Sequence, residues 1–137
     1  MTNNLPDPEQ TIDRFAEELA KAAFAHGWLV ARRVHDGSDR AFHLVKGAER
    51  IHFLAKLSQT EKGFWGLQRR RADEMVKGAW HLVLLTAATR GYVVRASHLG
   101  LLLSKASTST GGFRINESNL RGTPYSSSVA AIWSRIK

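Results

Sequence analysis

The sequence predicts a mixed α/β domain, with a central mixed sheet of about five to six strands flanked by helices in the order α-β-β-β-α-β-β-α-β-α. Three observations predict it. An amphipathic helical stripe opens the chain, and three strand-like runs separated by turn residues follow it. Further on, the continuous apolar run "WHLVLLT" at 80–86 has the character of a strand buried on both faces. The chain has 137 residues, 43% of them apolar, which is material for one real core. The expectation is therefore a single domain over 1–137, with a frayed lead-in at 1–9 and a flexible loop at 105–112.

Taken in order, Pro6 and Pro8 keep the first residues out of a helix. From Glu9 to His26 the positions Ile12, Phe15, Ala16, Leu19, Ala22 and Ala23 share one helical stripe, and Gly27 is a C-terminal stop. Strand-like runs follow at 28–34, 41–45 and 50–57, divided by "HDGSDR" and "KGAE". In the third run Ile51, Phe53, Ala55 and Leu57 alternate with Arg50, His52, Leu54 and Lys56, so Lys56 lies opposite the purely apolar set. A turn at Gly63–Gly66 leads into a short helix, "LQRRRADEMVKG", stopped at Gly78, with Leu67, Ala72, Met75 and Val76 as inner positions. The buried run at 80–86 pairs with "GYVVRA" at 91–96 across "AATRG". Ser97 caps a helix "HLGLLLSK", a Ser/Thr/Gly loop spans 106–112, and "FRI" is one more strand. Ser126 or Ser127 caps a last helix whose stripe is Val129, Ile132, Trp133 and Ile136.

Charge is distributed unevenly. Twenty Lys+Arg against twelve Asp+Glu give +8, yet residues 1–20 hold five acids and one base, so the remainder carries +12. A basic body of this size draws polyanions through counterion release, which makes nucleic acid, DNA before RNA, the first partner to consider. No cysteine is present, which excludes disulfide scaffolds, zinc knuckles and thiol catalysis. No apolar run approaches the roughly 20 residues of a membrane helix, and the first residues lack a signal-peptide pattern, so no membrane role and a cytoplasmic location are expected. Neither a phosphate-binding glycine loop nor a nucleophile elbow occurs.

The strand ending "HFLAK", the preceding hairpin with Asp39 at its turn, the segment "KGFWGLQRRRADEM" and the strand "WHLVLLT" together resemble the core of the restriction-endonuclease-like superfamily, the PD-(D/E)XK nucleases, over roughly residues 9–96. The resemblance implies an acid near the second strand and a D/E-x-K on the third, holding divalent metal beside a lysine that works on the attacking water. Carried to this chain, Asp39 stands for the first acid and metal ligand, and Lys56 for the lysine. Two residues before Lys56, however, is Leu54, where the family pattern has a carboxylate. A leucine cannot ligate Mg²⁺, so the expectation is a relative that binds nucleic acid without cutting it and needs no cofactor. The alternative is a Mg²⁺-dependent nuclease in which Glu49, Glu17 or Glu18 has taken over the missing ligand.

Further candidates come from the residues themselves. Arg69, Arg70 and Arg71 fan over about 200° of a helix, so at most two share a surface for phosphate. Phe64 or Trp65 at the preceding turn offers a stacking ring for a base. Lys56 and Lys62 precede this set, and Lys105 and Arg114 belong to a second one with Arg121, Arg135 and Lys137; from residue 90 onward seven bases face the single acid Glu117. Plainer readings are a solvated helix face with Asp73 and Glu74 paired to the arginines, a Trp in the core, and a strand-end lysine that reaches water. His43 and His52 could meet across a hairpin, and His52 beside Lys56 is a possible acid/base pair. A last reading is a protein-interaction domain of the immunity, inhibitor or assembly type, whose basic surface meets an acidic partner or a second copy of the chain.

Overall fold

The computed structural model describes residues 8–36, 39–61, 63–109 and 111–137, with side chains of Pro8, 32–39 and Ser109 excepted. Helix α1 (Pro8–Ala25) buries Ile12, Phe15, Ala16, Leu19 and Ala23, the predicted stripe. It ends where Gly27 takes φ +85° and the Trp28 N–H donates to the Ala23 carbonyl at 2.9 Å, a left-handed closure that glycine makes without strain. Strands β1 (Leu29–Asp36), β2 (Asp39–Lys46) and β3 (Glu49–Leu57) follow as an antiparallel meander.

The chain next forms strand β4 (Phe64–Gln68), helix α2 (Arg69–Gly78), and β5 (His81–Ala87), which pairs parallel to β3. Strand β6 (Arg90–Val94), helix α3 (Ala96–Lys105), β7 (Ser107–Ser109), β8 (Gly112–Asn116), a 3₁₀ turn (Glu117–Leu120), β9 (Tyr125–Ser126) and α4 (Val129–Ile136) complete the order. The main sheet runs β1-β2-β3-β5-β6-β9 and is mixed, antiparallel except at β3/β5; β4, β8 and β7 form a second, antiparallel sheet.

Both faces of the main sheet are covered. On one, α1 and α4 enclose Phe42, Phe53, Ala55, Val83 and Leu85; on the other, α2, α3 and the small sheet enclose Leu54, Leu82 and Leu84. Leu82, Val83, Leu84 and Leu85 are all fully buried, which explains why 80–86 reads as an unbroken apolar run.

Four local expectations are corrected. Gly63–Gly66 is no turn into the helix: Phe64–Gln68 is extended, because Trp65 and Leu67 on its inner side pack opposite Ile115 and Phe113 of β8. The helix accordingly starts at Arg69, and Val76 lies on its exposed side. The 105–112 loop holds a short strand, β7, paired to β8, with Thr110 outside the described residues. The last helix is capped by Ser128, whose Oγ accepts from the Ala131 N–H at 3.1 Å, while Ser126 is buried in β9. No helix among the described residues is long and apolar enough to cross a membrane.

His81 ties β5 to the start of α3, its Nδ1 accepting from the Ala96 N–H at 2.8 Å. An accepting Nδ1 requires the neutral ring. Burial and then the Arg95 guanidinium push His81 below its usual value of 6.5. A lowered folded-state pKa means that the unfolded chain binds the proton better, so this stability is complete above pH 6.5 and is lost as pH falls toward the folded value. In urea unfolding, wild type should outlast His81→Asn, which keeps an acceptor but no titrating proton, at pH 7.5, and that advantage should shrink by pH 5. A constant advantage would mean that His81 is not the titrating group.

Glycines in α3 and β6 should respond oppositely to an added methyl. A Cβ on Gly91 would meet the Leu84 carbonyl oxygen at 2.4 Å, beside the register shift after Leu85, whereas one on Gly100 meets nothing within 4 Å. Gly91→Ala should cost roughly 1–3 kcal/mol from overpacking, and Gly100→Ala should add about 0.5–1 kcal/mol from helix propensity, both read from denaturant midpoints.

Candidate nucleic-acid interface

The β2/β3 register determines what surrounds Lys56. Arg40 lies opposite Ala55, the last pair of the ladder, with Asp39 and Lys56 the next residue on each strand. The backbone of Asp39 opens β2; its side chain lies outside the described residues. Lys56 is half-buried on the face shared with Leu54, next to Leu84 of β5.

Leu54 occupies the position of the missing carboxylate. It is 0% exposed and packs among Trp65, Leu82 and Leu84, so no solvent path and no ligand atom reach that point from the strand. Substitute acids are poorly placed. Glu49 pairs with Lys46 at the opposite end of β3, seven residues or roughly 23 Å from Lys56, and Glu18 lies beside Lys21 on the surface of α1. Among the described residues, no three His, Cys, Asp or Glu come together as metal ligands. Leu54, Glu49 and Glu18 therefore supply no carboxylate beside Lys56, and no catalytic step through a metal is derived.

An acid from α1 does approach this end of the sheet. Asp13 Oδ1 accepts from Arg40 Nε at 3.2 Å and Nη2 at 3.0 Å; Arg40 is 1% exposed and Asp13 47%. Neither residue stands out in the sequence, since Arg40 follows a turn aspartate and Asp13 is one of five acids near the start. Their pairing joins residues 27 positions apart, which no local pattern reports.

His43 and His52 do meet across the β2/β3 hairpin, rings stacked at 4.3 Å, and Trp80 stacks on His52 at 5.6 Å. Burial, then His43 and Arg50, lowers the His52 pKa. The expected His52–Lys56 acid/base pair is corrected: four residues of strand separate them by roughly 13 Å, and the His52 ring is held in this aromatic row.

Trp65 is likewise no stacking platform. It is 0% exposed, and its Nε1–H donates to the Leu85 carbonyl at 3.1 Å, closing the small sheet against the large one. The nearby rings of Phe64 and Phe113 are half-buried and each is covered by a cation: Arg114 sits 5.8 Å above Phe64, and Arg69 4.8 Å above Phe113.

The three arginines diverge as helical geometry requires. Arg70 is 93% exposed with a long 4.0 Å contact to Glu74, and Arg71, mostly buried, approaches the same carboxylate at 3.6 Å. Arg69 and Arg70 line a shallow groove on α2 with Asp73, Glu74 and Lys77, so that surface is partly neutralised. Lys62 lies outside the described residues. Lys105 opens onto a different groove, between α3 and α4, with Arg95, Arg121 and Arg135. Sequence reasoning collected Lys105, Arg121 and Arg135 by charge but passed over Arg95, whose only signal was membership in the base-rich half.

No protein-family model matches the chain, and no curated protein matches its sequence. Among solved structures, Hjc, a Holliday junction resolvase from the archaeal hyperthermophile Archaeoglobus fulgidus, matches 90% of this chain and 95% of its own at TM-score 0.53 and 12% identity. At that identity the likeness is one of fold, and the chain has the restriction-endonuclease-like (PD-(D/E)XK) fold.

The Asp13–Arg40 pair gives a direct test. Asp13→Ala removes one charged acceptor from a buried guanidinium and should lower unfolding free energy by about 2 kcal/mol in urea titrations. Adding Arg40→Met should recover part of that loss, as an apolar replacement removes the buried charge. A loss under about 0.5 kcal/mol would show that Asp13 does not hold Arg40 in solution.

Proposed function

We propose that this chain is a nucleic-acid-binding module, with DNA as its preferred partner, that grips phosphate backbone and does not cleave it. One observation carries the reading: on a restriction-endonuclease-like fold, the ligand position two residues before Lys56 is a fully buried leucine, while cationic side chains around the sheet remain exposed. Metal-assisted phosphodiester chemistry needs carboxylates to hold the ion, whereas backbone binding needs only accessible cations. The solved neighbour's description as a Holliday junction resolvase supports a nucleic acid as the partner.

In this reading Arg69, Arg70 and Arg114 meet phosphates at the α2/β8 surface, with Lys56 at the strand end behind them. Arg70 is the best placed, being extended into solvent on a helix turn. Its contact with Glu74 is too long and too exposed to compete with a phosphate, since such pairs are worth roughly 0–1 kcal/mol. The cations above Phe64 and Phe113 add guanidinium edges, whose in-plane N–H groups suit bidentate phosphate contact.

Fluorescence anisotropy with duplex, junction and single-stranded DNA and with RNA is the test. Affinity should fall steeply between 50 and 200 mM salt, as roughly expected for several phosphate contacts. Arg70→Ala with Arg114→Ala should reduce the slope of log K against log salt by about 2 with little change in stability. Salt-independent binding would defeat the proposal. Cleavage in Mg²⁺ or Mn²⁺, absent in EDTA and abolished by Lys56→Ala, would establish a nuclease instead.

A further inference from the structure

The groove between α3, the segment after the 3₁₀ turn and α4 encloses about 460 Å³, within the roughly 300–1,000 Å³ typical of small-molecule sites. Its composition is one-sided. Arg95, Lys105, Arg121 and Arg135 line it, together with His98, and no aspartate or glutamate does. Among the described residues, none of the four bases forms an ion pair with a carboxylate. The α2 groove differs, because Asp73 and Glu74 sit among its bases.

One cation of the groove is fixed in place by the fold, and a second is left with an unmet donor. Arg95 Nη1 donates to the carbonyls of Arg135 at 3.1 Å and Lys137 at 3.5 Å, at the C-terminal end of α4 where a cation is favoured. Arg135 leaves its Nε buried without a hydrogen-bond acceptor. A buried donor without a partner carries a desolvation cost that an incoming anionic oxygen would relieve. Lys105 and Arg121 are exposed at the rim, at opposite ends of the segment containing β7, β8 and the 3₁₀ turn.

The rest of the lining is mixed. Leu101, which is exposed, and Pro124 give it an apolar side over the buried Val94 and Leu102, while Thr123, Ser134 and the Asn119 amide, whose Nδ2 already donates to the Lys105 carbonyl, add polar edges. A ligand matching this lining has an anionic group for the bases and a flat, weakly polar body for the apolar side. Inorganic phosphate satisfies only the first requirement, and an aliphatic acid lacks the multiple oxygens that Lys105, Arg121 and Arg135 together accommodate.

We propose that this groove is a binding site for a nucleoside phosphate, with the phosphate held by Lys105, Arg121 and Arg135 and the base laid against Leu101 and Pro124. The source is either a free nucleotide or one unstacked or terminal nucleotide of a strand, and the strand form rests on the nucleic-acid reading above. Its lining contains neither Lys56 nor any other residue of β3, and most of it follows the sequence region carrying the nuclease resemblance.

The experiment measures AMP, dTMP and adenosine by calorimetry, and 5′-phosphorylated and 5′-hydroxyl single strands by anisotropy. It compares the full chain with Lys105→Glu/Arg121→Glu and with a charge-matched control, Lys21→Glu/Lys46→Glu, at exposed sites of α1 and β2. Circular dichroism melts verify that each variant is folded; if the Glu pair is not, Lys105→Gln/Arg121→Gln replaces it. The groove variant should weaken its ligand at least tenfold, the control less than threefold, and adenosine should bind at least tenfold more weakly than AMP. Loss confined to strands supports a strand nucleotide, and loss of AMP or dTMP binding in a protein that ignores strands supports a free nucleotide while defeating the broader reading. If strands bind equally to the groove variant and no nucleotide binds, this site is wrong and the broader reading stands. If neither strands nor nucleotides bind, both are wrong.

Discussion

Burial of the β3/β5 parallel pair on both faces is the constraint on which the rest of this structure depends. Phe53, Leu54, Ala55 and Leu82 through Leu85 are all fully buried, so each strand needs a cover above and below. Helices α1 and α4 supply one; α2, α3 and the small sheet supply the other. Trp65 is the piece that joins the small sheet to the large one, by apolar area and by its hydrogen bond to Leu85. Removing either cover would expose a row of leucines and valines worth roughly 1.5–3 kcal/mol each.

The same constraint bears on chemistry. A carboxylate at position 54 would stand in a dry layer between Trp65, Leu82 and Leu84, where an unpaired ion is costly and a metal would have to replace water on every side. A leucine there is consistent with its neighbours, so the position has become part of the core. The acid that α1 brings toward this end of the sheet is engaged by the buried Arg40. What remains available to a polyanion is cationic surface, divided between an α2/β8 face partly offset by Asp73 and Glu74 and an α3/α4 groove with no acid in its lining.

Much of the architecture was legible in the residues because it follows local periodicity. The α1 stripe, the meander strands and the last helix repeat at 3.6 or 2 residues, and the doubly buried run shows as an unbroken apolar stretch. The small sheet was not legible. Its strands are short, β4 carries Gly66 at its centre and follows Gly63, β7 is made of Ser and Thr, and the pairing of β4 with β8 joins residues some fifty positions apart. Ser128 rather than Ser126 became the cap because β9 uses Ser126 first.

By itself, the sequence determined the alternation of helices and strands, the two-sided burial of 80–86, the basic excess after residue 90 and the absence of a carboxylate before Lys56. These are properties of residue type and spacing, which need no partner to be read. Only the tertiary structure decided that Trp65 is inside, that Asp13 belongs to Arg40, that His52 is held between two rings, and that Arg95 and Arg135 meet Lys105 and Arg121 around one groove. Each of those joins segments distant in the chain, and the contact is made only when apolar burial elsewhere has brought them together.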